Sequence, residues 1–143
     1  MTDNQMKLSF PSRSVNEGLA RTAVAAFVAQ LDPTVEELCD IKTALSEAVT
    51  NAVVHGYRNT IGTVYIQAKR KGDRVILRIR DTGCGIADIP QAMEPLYTTS
   101  PNGESAGLGF AVMQQLCDKV RVRSVPGRGT TVVLERRITP RGE

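Results

Sequence analysis

The segment Arg74-Val75-Ile76-Leu77-Arg78-Ile79-Arg80-Asp81 alternates strictly, and its apolar phase ends in a carboxylate. Side chains on a strand alternate with a period of two, so Val75, Leu77, Ile79 and Asp81 share one face. Three aliphatic residues on that face require a core behind it. Asp81 enters the edge of that core, where an unpartnered carboxylate costs roughly several kcal/mol. The fold must therefore give Asp81 a hydrogen-bonding partner, from the chain or from a ligand.

The neighbouring pattern supplies the scaffold. Gly62 to Ala68 reads as a second strand, joined to Arg74–Asp81 by a turn at Lys71-Gly72-Asp73, which is hairpin chemistry. Met6 to Phe10 alternates as a strand, with Pro11 ending it or marking a sheet edge; such an edge could pair with a second copy and predicts a homodimer. Ser14-Val15-Asn16-Glu17 has the form of a capping box, followed by Leu19, Ala23, Ala26 and Phe27 at helical spacing up to Asp32-Pro33. A second helix is predicted from Pro33-Thr34, with Pro33 in its first turn, to Gly56, burying Leu38, Ile41, Leu45, Ala48 and Ala52. Ala87 to Ala106 carries three prolines and a glycine with no sustained period beyond a short helix near Ile89 to Met93, which reads as a long loop of the lid type. A third helix from Gly109 to about Asp118, with Phe110, Met113 and Cys117 inward, precedes a hairpin of Val120–Val125 and Thr130–Arg136. The tail from Pro140 is expected to fray.

Strands come in runs, and the two long helices precede most of them. The expected class is α+β: a two-layer sandwich of a mostly antiparallel sheet with helices on one face. At 143 residues the chain is expected to be a single domain over 1–143. No apolar stretch approaches a membrane span, the first nine residues are too polar for a signal peptide, and three cysteines without C-x-x-C spacing suggest neither a disulfide framework nor a zinc site. A cytoplasmic protein is expected. The net charge of +3 rests on basic residues that alternate with apolar ones or sit at turns, with few aromatics to stack on bases. Solvated strand faces are favoured over a nucleic-acid surface.

Four stretches carry the chemistry: Glu47-xxx-Asn51-xxx-His55-Gly56, Asp81-x-Gly83-x-Gly85-Ile86, Gly107-Leu108-Gly109 and Gly127-Arg128-Gly129-Thr130. Glu47, Asn51 and His55 stand at i, i+4 spacing along one helix face and can converge on one ligand. A helix glutamate taken alone is more often solvated, but near a triphosphate Glu47 is a candidate general base. Asn51 offers a neutral oxygen to Mg²⁺, or else hydrogen bonds to backbone. His55, beside the helix-ending Gly56, reads as a structural histidine rather than a phosphoacceptor. Asp81 suits the exocyclic amine of adenine, which guanine lacks, while Gly83 and Gly85 let backbone approach the ring and hinge the lid. Cys84 between them reads most simply as a small apolar filler, the other reading being a thiol near the nucleotide open to oxidation. Gly107-Leu108-Gly109 would aim helix N–H groups at phosphate. No Gly-Lys-Ser/Thr follows it, so it is no Walker loop. Each motif is weak alone; together they describe an ATP site.

In this order and spacing the motifs strongly resemble, over nearly the whole chain, the ATP-binding fold shared by gyrase, Hsp90, histidine kinases and MutL, the Bergerat or GHKL fold. The larger members carry further domains, which leaves the compact anti-sigma kinase branch. Within it, Ser46 to Tyr57 and Ala25 to Thr34 resemble the sporulation anti-sigma-F factors, and the second stretch is the more specific. The resemblance implies two activities: binding and silencing a sporulation sigma factor, and using ATP and Mg²⁺ to phosphorylate a serine of an anti-anti-sigma protein. It implies Glu47 as the base, Asn51 as the Mg²⁺ ligand and Asp81 as the adenine reader. It places Gly83, Gly85, Ile86, Gly107, Leu108 and Gly109 about the nucleotide, with Thr98 and Thr99 in the lid and Thr130 near the base. Glu17 and Arg21 match partner-binding positions, although they also form an ordinary i, i+4 ion pair. One departure concerns transfer: Thr98 to Ala106 holds no Lys or Arg, and Ser105 stands where the resemblance leads one to expect arginine. Without that clamp on the γ-phosphate, transfer is slowed or the charge comes from elsewhere. The competing readings are a nucleotide-gated sigma-sequestering module with vestigial kinase activity, a stress-response anti-sigma kinase, and a stand-alone histidine-kinase fragment.

Overall fold

A computed structural model describes residues 3–57, 60–85 and 106–139. The described elements are β1 (Asn4–Pro11), α1 (Asn16–Val28) with a 3₁₀ turn (Ala29–Leu31), α2 (Val35–Thr50) with a π-turn (Asn51–Gly56), β2 (Thr63–Lys71), β3 (Arg74–Asp81), α3 (Ala106–Leu116), β4 (Lys119–Val125) and β5 (Gly129–Arg137). The strands form one fully antiparallel sheet in the order β1-β2-β3-β5-β4, so β1 is an edge. The α+β expectation holds.

Register makes the core face continuous. Leu8, Ile66, Ile79, Val132 and Val122 lie in one row across the five strands, and Met6, Ala68, Leu77, Leu134 and Val120 in the next. Helices α1, α2 and α3 cover these rows, with Val24, Phe27, Ile41, Leu45, Val49, Phe110 and Met113 buried among them. The row that begins with Asp81 continues through Thr130 to Ser124. The apolar face thus ends in a polar row, and the candidate site lies there.

Several local expectations are corrected. The capping box at Ser14 does not form: α1 starts at Asn16 after Val15, with no side-chain cap. Glu17 instead bonds Arg21 and Thr50. A capping box does form at Thr34, whose hydroxyl accepts from the Glu37 N–H at 3.0 Å while Glu37 accepts from the Thr34 N–H at 2.8 Å. Pro33 therefore precedes the cap rather than opening the helix. The buried stripe of α1 is Ala20, Val24, Phe27 and Val28, one position along from that expected, and Leu19 is 51% exposed. Both phases satisfy helical spacing; small Ala20 is the residue that turns inward as α1 packs on α2. The third helix starts earlier and ends earlier than expected, at Ala106 and Leu116, which leaves Cys117 beyond its end. The expected lid from Ala87 to Ser105, with its short helix and Thr98 and Thr99, lies outside the described residues, as does Ile86 before it.

Two sets of strand arginines differ in their surroundings. Arg136 and Arg137 pair with Asp40 and Asp73, whereas Arg78, Arg121 and Arg123 stand exposed on the uncovered sheet face. That is the expected solvated strand face.

Glu37 also ties the segment that follows β5 to α2, for its second oxygen accepts from the Thr139 N–H at 2.7 Å. Burial opposes its charge, but hydrogen bonds from Thr139 and Thr34 outweigh this and hold the carboxyl below its ordinary 4.5. Replacing Glu37 by Ala strands those donors and is expected to cost about 2 kcal/mol. Because the folded value is depressed, this contribution is complete above the unfolded value and fades as pH falls through the folded one. Chemical denaturation at pH 7 and pH 3 checks it: an equal wild-type-to-variant difference at both would contradict the assignment.

Candidate functional site

The site is built where the helix carrying Glu47 changes its hydrogen-bonding pattern. The α-geometry of α2 ends at Thr50, and Asn51 to Gly56 form a π-turn that packs against β3, β5 and α3. Single π-turns within helices mark functional positions more often than chance allows, because they re-aim side chains that regular spacing would fix. The expected uniform i, i+4 ladder of Glu47, Asn51 and His55 is thus broken after its first step.

Glu47 is half-buried in the last turn of α2. Its carboxylate lies against the first turn of α3: a Cβ on Gly109 would stand 3.0 Å from its Oε2. Burial, and then the negative charge of Glu17, raise its proton affinity above the ordinary 4.5. A half-buried carboxylate of this kind is suited to taking a proton from an incoming hydroxyl.

Asn51 opens the π-turn and is 7% exposed. Among the described residues its Oδ1 is buried without any hydrogen-bond partner. Buried acceptors are rarely left so, and an orphaned amide oxygen fits a hard cation such as Mg²⁺ or its bound water. His55 is buried in the same turn, and its carbonyl accepts from the Cys84 thiol at 3.0 Å.

Asp81 is 3% exposed at the end of β3. Its Oδ1 accepts from the Gly83 N–H at 2.9 Å. Burial raises its proton affinity, partly offset by the backbone N–H groups of Gly83 and Thr130 and by the charge of Arg80. Gly56 lies directly on this carboxyl, since a Cβ there would come within 2.9 Å of its Cγ. Thr130, opposite Asp81, shares a hydroxyl–hydroxyl bond of 2.9 Å with Ser124.

The structure gives the glycines a reason the sequence did not. A Cβ on Gly83 would collide with the Gly56 carbonyl, one on Gly85 with the Val125 carbonyl, and one on Gly129 with the Asp81 carbonyl. These are contacts between chain segments. Cys84 pegs them together: its N–H donates to Gly56 O at 2.8 Å, and its carbonyl accepts from Gly127 N–H at 2.7 Å. The filler expectation for Cys84 is corrected, because its backbone and thiol both bond and the residue is exposed.

Tyr57, which sequence reasoning left unused, locks the same corner. Its hydroxyl donates to Thr63 O at 2.6 Å and accepts from Thr82 N–H at 2.7 Å. A buried aromatic directly after His55-Gly56 was the available signal. The fold thus brings together Glu47 with Gly109, and Asp81 with Gly83, Gly56 and Thr130; Gly107 and Leu108 sit in the first turn of α3. Glu17 and Arg21 lie on α1, joined to α2 through Thr50 and Ser46. No helix among the described residues is long and apolar enough to cross a membrane.

Residues 10–136 match the family model of the histidine kinase-like ATPase domain. Among solved structures, the chain is similar to the RsbU and RsbW domains of Rv1364c from Mycobacterium tuberculosis, with TM-score 0.69 and 22% identity, covering 94% of this chain and 32% of that one. It is also similar to the catalytic domain of histidine kinase ThkA, with TM-score 0.58 and 13% identity over 96% of this chain and 97% of that one. Both likenesses concern the fold. An anti-sigma F factor of Thermoanaerobacter sp. is 55% identical over 129 residues, 90% of either chain. One of Clostridium beijerinckii is 53% identical over 138 residues, 96% of either chain. With more than half of the matched positions identical to these relatives over at least nine-tenths of its length, the chain belongs to the anti-sigma F factor family and carries a histidine kinase-like ATPase domain.

Proposed function

We propose that this chain is an ATP-dependent anti-sigma factor that binds and inhibits a sporulation sigma factor, sigma-F, and phosphorylates a serine of its anti-anti-sigma antagonist. The family supports the first activity. The observation that carries the second is the half-buried Glu47 carboxylate, raised in proton affinity and held against the first turn of α3.

In this reading Asp81 accepts from the adenine amine, and Thr130 lines the base beside it. The first-turn N–H groups at Gly107, Leu108 and Gly109 face phosphate. Asn51 holds Mg²⁺, which supplies neutralising charge on the phosphates when bound. Glu47 takes the proton of the substrate serine as its oxygen bonds to the γ-phosphorus and the bond to the β-phosphate oxygen breaks, releasing ADP. The open edge of β1 is where a second copy would add its strand and form a homodimer.

A second reading, sequestration gated by nucleotide with little transfer, is favoured by the absence of Lys and Arg from Thr98 to Ala106. Incubation with Mg-ATP and a cognate antagonist separates the two: phosphoserine is expected, and nucleotide binding without it would leave only the gated module. Sigma-F captured with ATP present is expected in either case. Sedimentation of the same sample should give a dimer; a monomer at micromolar concentration would remove the β1 pairing.

A further inference from the structure

Four side chains join α1 to the part of α2 that carries Glu47. The Thr50 hydroxyl donates to Glu17 Oε2 at 2.9 Å, and Arg21 donates both to Glu17 Oε1 at 3.3 Å and to the Ser46 hydroxyl at 3.1 Å. Ser46 and Thr50 flank Glu47 in the chain, and Thr50 is the last α-helical residue before the π-turn that Asn51 opens. A helical threonine hydroxyl commonly bonds back to the carbonyl four residues earlier. Here it reaches a carboxylate of another helix, an interaction of the charge-assisted and therefore stronger kind. The bond sits where the helix must switch from i−4 to i−5 hydrogen bonding, and that boundary decides where Asn51 points relative to Glu47.

We propose that the Glu17–Thr50 bond, braced by Arg21 on Ser46, is a latch that fixes the boundary between the α-helix of Glu47 and the π-turn of Asn51, making Thr50 and Glu17 positioning residues for both. The inference rests on Glu47 and Asn51 acting as proposed above. The latch is reachable from outside, since the side chains of Arg21 and Glu17 are 41% and 32% exposed. A partner group that draws either of them away loosens the boundary without touching Glu47 or Asn51.

Thr50→Val removes the hydroxyl at nearly constant volume, and Thr50→Ser restores it. Two readouts are taken on the full chain: single-turnover phosphotransfer to the antagonist with its ATP dependence, and amide hydrogen exchange of the nucleotide-free protein. In Thr50→Val the rate is expected to fall about tenfold and the KM for Mg-ATP to rise about threefold, because Glu47 and Asn51 lose their positions together. Exchange at 51–56 is expected to quicken about tenfold while β3 and β5 are unchanged, because the opening is local. Thr50→Ser should return both to near wild type. Unchanged exchange at 51–56, a serine variant as impaired as the valine, or faster exchange throughout the sheet would each overturn the latch. If wild type transfers no phosphate, the kinase reading fails by itself, and the exchange comparison alone decides the latch.

Discussion

Glu47→Gln is expected to lower serine phosphorylation by about 10²–10⁴-fold, the range a removed general base gives, with ATP affinity within about twofold of wild type. Glutamine keeps the shape that packs against Gly109 but has no basic oxygen to take the serine proton. The structural ground is the environment of the carboxylate: burial and the charge of Glu17 both favour its protonated form. The same causes predict that the acid limb of the pH–rate profile lies above 4.5, since Glu47 must be ionised to act. Labelled-phosphate transfer, run beside a fluorescent-nucleotide titration, separates the two effects. Wild-type transfer by the variant would place the base elsewhere in the site.

Asp81→Asn is expected to weaken ATP binding by about 100-fold, because an adenine amine would then meet a group able to offer a donor in place of an acceptor, and buried mismatches of that kind are heavily penalised. The empty protein should not lose stability. Asp81 has a raised folded value, so its ionised form is disfavoured in the fold, and stability rises as pH drops through that value towards the unfolded 3.8. A neutral amide removes that cost and keeps an oxygen for the Gly83 N–H. Thermal unfolding of the nucleotide-free variant, with a binding titration alongside, tests both halves. Unimpaired ATP binding would sink the adenine assignment, and a lower melting temperature would show that the carboxylate is structural first.

The parts of this molecule that were legible in the sequence are those in which side-chain phase decides the outcome. Asp81 was placed at the polar end of the core face by alternation alone, and register confirms it through Thr130 and Ser124. The edge position of β1 followed from its pattern and Pro11. Helix phase was less accessible in α1, where Leu19 and Ala20 both begin acceptable stripes and only packing against α2 chooses between them. Ser14 and Thr34 each begin an S/T-x-x-E sequence, yet only Glu37 is free to complete the box, because Glu17 is held by Arg21 and Thr50. The π-turn left no mark in composition; it is one hydrogen-bond step made permissible by the tertiary contacts around Asn51 to Gly56. The glycines were conspicuous in position, but the atoms that exclude a side chain come from segments remote in sequence.

Those glycine contacts bear on how relatives of this chain are to be interpreted. Gly83, Gly85 and Gly129 are held by carbonyls of the protein itself, so selection for folding alone is enough to preserve them. A descendant that had abandoned ATP would still display most of the glycine signature, and on the assignments proposed above its loss of chemistry would be visible at Glu47, Asn51 and Asp81 instead.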